Sequence, residues 1–219
     1  VILFALEREA APFRRLVKAR QDLQIHVSGV GRQRAKRALE QILQSVTSPR
    51  CVIAAGYAGA LHERLRVGDR VIAREIVDRK GGSWRCSTEL LPSTNLSGRI
   101  LTSDHLVAEA KEKEQLGESY KALAVDMESA GIAEVCVERG LPFLAIRAIS
   151  DTLDTQLSPQ LIGLLAGGHV SPWQAIRALL KKPNLLSEFR RLARDTRLAG
   201  RNLGQTLHKI LSEPPLGPA

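Results

Sequence analysis

Ala122-Leu123-Ala124-Val125 runs without a turn into Asp126-Met127-Glu128-Ser129, and this stretch decides the fold. Four small or apolar residues in a row read as a buried strand. The carboxylates that follow sit where a helix begins, because Ile132, Ala133, Val135 and Cys136 then recur on one helical stripe. Gly140-Leu141-Pro142 stops that helix. Phe143 to Ile149, the most strand-like run in the chain, follows at once and ends on Ser150-Asp151. Strand, helix and strand in immediate succession are the unit of an α/β layer.

Reading outward, the same alternation recurs. Cys51 to Ala55 is apolar throughout, as a strand covered on both faces should be, and is expected to break into a small-residue loop at Gly56-Tyr57-Ala58-Gly59-Ala60. Val1 to Leu6 is a further buried strand, followed by a helical pattern to Lys18. Gln24 to Ser28 is a short strand that turns through Gly29-Val30-Gly31 into a helix with Ala35, Ala38, Leu39, Ile42 and Leu43 on one stripe. Val71 to Val77 and Ile100 to Thr102 read as strands, and Asp104 as the N-cap of a helix reaching about Gln115. Toward the C-terminus, Ser171 caps a helix begun by Pro172. Asn184 opens a longer one with Phe189, Leu192, Leu203, Leu207, Ile210 and Leu211 on one face. The expectation from the pattern is an α/β fold over residues 1–171, with a basic helical extension over 172–219 packed on the same domain.

Composition bounds the rest. With 219 residues, 44% hydrophobic and 25% charged, the chain suits neither disorder nor collagen nor a disulfide scaffold. Its 3 cysteines are widely spaced and form no CxxC pair, which fits reduced thiols in a cytoplasmic setting. Glu7, Arg8 and Glu9 after six apolar residues argue against a secretory signal, and the longest uncharged stretch, Thr155 to Ile176, is interrupted by Pro159 and Pro172. The net charge of +9 is concentrated between Pro172 and Ser212, where nine Lys or Arg face only Glu188 and Asp195. A solvated helix face and a surface for the phosphates of lipid or nucleic acid both account for it.

In an open α/β sheet, ligands collect where strands end and loops lead into helices. The polar groups at such ends are Glu9, Asp126, Glu128 and Asp151, with Arg147 inside the last strand. Carboxylates converging from separate strands suit acid/base chemistry through an oxocarbenium-like transition state; capping of helix N-termini explains the same residues more simply. Gly29-Val30-Gly31 begins like a dinucleotide fingerprint, but Arg34 stands where the third glycine belongs, so no dinucleotide cofactor is expected. That turn, with Arg32, is either an anion cradle at a helix start or a simple tight turn. His105 at a helix start reads first as a surface or capping residue. His169 has no second histidine or cysteine at ligand spacing, so no metal site is expected.

Five blocks occur in one order: Ala5-Leu6-Glu7-Arg8-Glu9, Ser28-Gly29-Val30-Gly31, Gly56-Tyr57-Ala58-Gly59-Ala60-Leu61 with Val67-Gly68-Asp69, Val125-Asp126-Met127-Glu128-Ser129-Ala130, and Arg147-Ala148-Ile149-Ser150-Asp151. In this the chain resembles the purine and uridine nucleoside phosphorylase superfamily from Val1 to about Asp154, and within it looks most like the methylthioadenosine/S-adenosylhomocysteine nucleosidases. Beyond Asp154 it is similar to a branch described as hopanoid-associated phosphorylase. The resemblance implies that Asp151 protonates or hydrogen-bonds N7 of the purine, with Ser150 beside it. It implies further that Glu128 grips the ribose hydroxyls while Met127 packs on the sugar, and that Glu9 and Arg147 position water or phosphate. The backbone near Val107 would face the base.

Three departures from the family pattern bear on the site. Leu106 stands where the nucleosidases place a phenylalanine against the purine. Tyr57 replaces a small hydroxyl residue in the wall next to Gly56. Ala54 stands where the phosphorylases carry a phosphate-binding arginine, which favours hydrolysis unless Arg32 with Gly29 and Gly31 holds phosphate instead.

The implied activity is cleavage of the N-glycosidic bond of a purine, adenosyl, nucleoside by hydrolysis or phosphorolysis. No cofactor or nucleic acid is expected. A homodimer or higher homo-oligomer is, with peripheral membrane contact through the basic helices. The rival reading is a non-catalytic lipid- or nucleic-acid-binding protein that keeps the fold as a scaffold; the joint presence of Glu9, Glu128 and Asp151 argues against it.

Overall fold

In the computed structural model, residues 1–18, 20–46, 48–88, 96–155 and 183–212 are described. Their elements are β1 (Ile2–Phe4), α1 (Glu7–Leu16), β2 (Ile25–Val27), α2 (Arg32–Ser45), β3 (Val52–Ala60), β4 (Arg70–Asp78), β5 (Ser83–Arg85), β6 (Ser97–Thr102), α3 (Ala110–Tyr120), β7 (Ala122–Asp126), α4 (Ser129–Glu138), β8 (Phe143–Asp151) and α5 (Pro183–Ser212). The α/β class is thus as expected from the alternating pattern, and the central mixed sheet flanked by helices is the one the resemblance to the nucleoside phosphorylases implies.

Eight strands form the sheet, in the order β2-β1-β3-β7-β6-β4-β5, with β8 bonded to both β3 and β4. That last pairing curls the sheet on itself. β3 pairs β8 in parallel, β8 pairs β4 antiparallel, β4 and β6 then β6 and β7 run parallel, and β7 returns antiparallel to β3. The circuit closes like a small barrel and leaves β1, β2 and β5 outside it. β8 is therefore covered on both faces, which is why its first seven residues are all buried rather than alternating.

Helices seal the two faces. Ala35, Leu39 and Leu43 of α2 and Ile132, Ala133, Val135 and Cys136 of α4 pack with Leu3, Ala54, Ala58 and Ala145 from the strands. On the other side Ala10 and Phe13 of α1 and Ala199, Leu203 and Leu207 of α5 bury against Ile53, Ala55, Leu144 and Ile146. Leu116 of α3 closes a third cluster with Leu61, Leu101 and Val125.

Four expectations are corrected. The Gly56 to Ala60 stretch is not a loop: β3 runs through it to Ala60, and Gly56 and Gly59 make room for side chains from β8 and α1 rather than for a turn. The helix expected from Asp104 starts at Ala110, with Glu109 at its N-cap, while Asp104 pairs with Lys80 at 2.9 Å. β5 was not foreseen; it is a three-residue strand paired antiparallel with β4. The apolar stripe expected of the last helix holds at Leu203 and Leu207, but Phe189 is 42% exposed. The helix start expected at Ser171 and Pro172 lies outside the described residues. Among the described residues, no helix is long and apolar enough to cross a membrane.

Candidate active site

The ends of β3, β7 and β8 meet the start of α1 and the turn from β2 into α2. Glu9 enters from the first turn of α1. Its Oε2 accepts the backbone N–H groups of Ala5 and Leu6, both at 3.0 Å, and its Oε1 accepts that of Tyr57 at 3.1 Å. The carboxyl thus caps its own helix and ties it to β3. Burial raises its pKa above 4.5, with Arg147 and the amides pulling the other way.

Arg147, in the middle of β8, is 1% exposed. Its Nη2 lies 2.7 Å from Asp126 Oδ2 and donates to Ser129 Oγ at 2.9 Å. Asp126 also accepts from Thr102 Oγ1 at 2.8 Å and from the Ser129 N–H at 3.3 Å, and Ser129 Oγ donates to its Oδ2. A buried charge needs such partners, and here they leave little freedom of position. Arg147 Nε has no hydrogen-bond partner among the described residues. Glu9 and Arg147 converge on Gly56: a Cβ there would lie 3.3 Å from both Glu9 carboxylate oxygens and would collide with Arg147 Nη1.

Glu128 stands at the N-cap of α4, 6% exposed, and its Oε1 accepts the Gly31 N–H at 2.9 Å. Burial pushes its pKa up to about 7; Arg147 opposes the shift, and the Asp126 and Glu9 carboxylates add to it. Met127, beside it, is half-buried.

Asp151 comes from a β-bulge. The β3–β8 register pairs Ala58 with Ile149 but Gly59 with Asp151, so Ser150 is the extra residue and Asp151 turns toward Gly59. A Cβ at Gly59 would sit 2.9 Å from Asp151 Oδ2. Ser150 Oγ donates to Asp151 Oδ1 at 2.7 Å, and Lys113 Nζ of α3 lies 2.5 Å from Asp151 Oδ2.

Several expected residues contribute differently. The cradle expected from Arg32, Gly29 and Gly31 is already filled from within the chain. Arg32 donates to Asp78 at 2.6 Å and to Glu134 and stacks over Trp84 at 5.6 Å, while the Gly29 N–H goes to Ala5 O at 3.1 Å and the Gly31 N–H to Glu128. Both glycines have positive φ, 83° and 102°, so this is a turn the sequence needs for geometry. Tyr57 faces away from the Gly56 wall: its hydroxyl donates to Arg8 O at 3.3 Å, beside Gly200 of α5, and only its N–H reaches Glu9. Burial, with Glu9 nearby, pushes the Tyr57 phenol up to about 12. Val107 is buried with Leu61 and Leu116, and Leu106 is 39% exposed.

Lys113, Thr102 and the anchoring role of Ser129 were not foreseen. Lys113 shares the buried face of α3 with Leu116 and Gly117, but only Leu116 of the three is apolar, so the sequence carries no stripe that would have found it.

Three buried carboxylates, Glu9, Asp126 and Glu128, thus gather about one buried arginine, Arg147. The chain belongs to the phosphorylase superfamily, whose sequence model matches residues 13–88 and 85–163, and it is accordingly an enzyme that cleaves glycosidic bonds. Among curated relatives, the 5'-methylthioadenosine/S-adenosylhomocysteine nucleosidase of Staphylococcus aureus (strain MRSA252) is 24% identical over 189 residues, covering 74% of this chain and 82% of its own. The fold is shared with that of a Helicobacter pylori nucleosidase of the same name, at TM-score 0.72 and 18% identity over 97% of each chain. It is shared also with the S-adenosylhomocysteine nucleosidase of Streptococcus pyogenes, at TM-score 0.71 and 20% identity over 98% of this chain and 96% of that one.

Proposed function

We propose that the chain hydrolyses the N-glycosidic bond of an adenosyl nucleoside. The observation that carries this reading is the placing of Glu9 and Arg147 against Gly56, with Glu128 and Asp151 at adjoining strand and helix ends. In this scheme Glu128 binds the ribose hydroxyls while Met127 packs on the sugar. Asp151, steadied by Ser150, delivers a proton toward N7 of the purine, whose poor anionic leaving form is thereby avoided. Positive charge then builds on C1′, where nearby carboxylates stabilise it more than they stabilise the neutral substrate. Glu9, its affinity for a proton raised by burial, takes the proton of the attacking water, with Arg147 holding the site's geometry. Leu106 and the main chain of Val107 line the base.

Water is favoured over phosphate because Arg32 and the Gly29 and Gly31 amides are engaged within the chain and Ala54 adds no cation. Adenosine, methylthioadenosine and inosine incubated with and without phosphate supply the test. Free base and unphosphorylated sugar are expected at a rate indifferent to phosphate, and a sugar 1-phosphate as sole product overturns the reading. Asp151→Asn should remain folded and lose about 10²–10⁴-fold in turnover.

A second reading concerns partners. Arg190, Arg194, Arg197 and Arg201 recur at i, i+4, i+7 and i+11, all exposed, on the face of α5 opposite buried Ala199 and Leu203. This supports α5 as a contact for an anionic membrane. With the likeness of the C-terminal part to the hopanoid-associated branch, it also supports an apolar 5′ substituent on the nucleoside.

A further inference from the structure

Lys113 is a buried cation on α3, apart from Arg147. Lysine is almost never fully buried without a partner, yet this side chain is 1% exposed. It also sits near the N-terminal end of α3, the positive end of the helix dipole, where a cation is disfavoured. On the same face Leu116 and Gly117 pack against Leu61, so the helix presents a charge on its buried face. What compensates is a cage of oxygens: Asp151 Oδ2 at 2.5 Å, Thr152 O at 2.8 Å and Thr155 O at 3.4 Å. The loop that supplies the carbonyls is itself closed, since the Thr152 N–H donates to Thr155 Oγ1 at 3.1 Å. Three acceptors match the three N–H bonds of one ammonium.

Both oxygens of Asp151 thus already accept hydrogen bonds, one from Ser150 and one from Lys113. Asp151 is 18% exposed, whereas Lys113 lies behind it, away from solvent. From this geometry, and resting on the proposed role of Asp151, we propose that Lys113 is the proton reservoir for base departure. It is a positioning residue that acts through Asp151 and does not touch the substrate. As the C1′–N9 bond breaks, its electron pair passes into the purine. One proton moves from Lys113 Nζ to Asp151 and from Asp151 to N7, leaving a neutral amine beside the carboxylate. Water bonds to C1′ and gives its proton to Glu9, which releases it to solvent. Lys113 regains one from solvent by way of Asp151, the exposed member of the pair, so each bond cleaved consumes one water.

A purely structural lysine and a proton reservoir differ in their dependence on the leaving group. Lys113→Met should lower kcat on an adenosyl nucleoside by 10²-fold or more, in the manner of a lost general acid. On 4-nitrophenyl β-ribofuranoside, whose phenolate departs without a proton, kcat should stay within about three-fold, since no general-acid contribution is lost. Asp151→Asn should show the same selectivity, and Lys113→Met added to Asp151→Asn should cost nothing further, because residues acting as one unit are non-additive. Lys113→Arg should recover part of the loss. Equal losses on both substrates, or an additive double variant, overturn the role of Lys113 while leaving that of Asp151 intact. An Asp151→Asn variant without selectivity overturns the role of Asp151 and this inference with it. Should Lys113→Met fail to fold, the double variant, which removes both charges of the pair, carries the comparison against Asp151→Asn.

Discussion

Glu128 is held between two demands, and its protonation registers the conflict. Burial among carboxylates raises its pKa from 4.5 to about 7, although Arg147 and the Gly31 amide favour the charged form. A folded-state value above the unfolded one means that the folded chain binds the proton more tightly. The resulting stability is fully present below pH 4.5 and is lost as pH rises through about 7. Glu128→Gln cannot ionise yet still offers an oxygen to the Gly31 N–H. It should therefore melt above the wild type at pH 8, by about 2–4 °C for each kcal/mol recovered, with the gap gone by about pH 4.5. Its kcat/KM on ribosyl substrates should fall, since a charge-assisted hydrogen bond to the sugar is lost at a cost of roughly 1.5–3 kcal/mol. Thermal melts across that pH range, with matched kinetics, check both; a variant no more stable than the wild type at pH 8 contradicts the assignment. Arg147 and Asp151 were legible as polar residues inside or ending an apolar strand, and Glu9 and Glu128 as carboxylates at the helix starts that follow such strands. Lys113 was not, because Glu112-Lys113-Glu114-Gln115 reads as a solvated run and its buried contact is with Asp151, 38 positions away.

Among the elements, β3 shows how composition misleads. Gly56 and Gly59 look like loop residues, yet both lie within a strand, and each marks a place where a charged side chain from another element occupies the space of a Cβ. Gly56→Ala places a methyl group against Arg147 Nη1, and Arg147 has no easy retreat because Asp126 and Ser129 fix its other end. Overpacking of this kind costs about 1–3 kcal/mol, and displacing a positioning group by about 1 Å costs on the order of 10²-fold in rate. The variant should fold, melt several degrees lower and lose activity far beyond what its stability loss explains. Wild-type kcat/KM in a folded Gly56→Ala protein would rule out a working contact between Arg147 and this wall. The bulge at Ser150 is similarly silent in sequence: nothing in Ala148-Ile149-Ser150-Asp151 distinguishes a regular strand from one that inserts an extra residue, since the register is set by β3 across the ladder.

For the whole molecule, the alternation of strands and helices revealed the class, but closure of the sheet did not follow from it. Closure depends on β8 bonding β3 and β4 at once, a pairing between segments far apart in sequence that hydrophobic patterning leaves undetermined. The basic C-terminus, in contrast, was visible as charge, and the structure sorts that charge by face. Ala199, Leu203 and Leu207 anchor α5 on the domain, so the opposite face, with Arg190, Arg194, Arg197 and Arg201, points outward along one line. A basic residue near an anionic bilayer contributes about 1 kcal/mol, and the attraction decays over a Debye length of about 10 Å at 0.1 M salt. If the proposed membrane contact is real, the protein should co-sediment with vesicles containing anionic phospholipid at low salt and be released at high salt. It should ignore zwitterionic vesicles. Arg190→Glu with Arg197→Glu should abolish the sedimentation and leave cleavage of a water-soluble nucleoside unchanged, because neither arginine lies at the strand ends that form the site. Failure of the wild type to sediment even at low salt would leave the arginine face as a solvated surface with no membrane role.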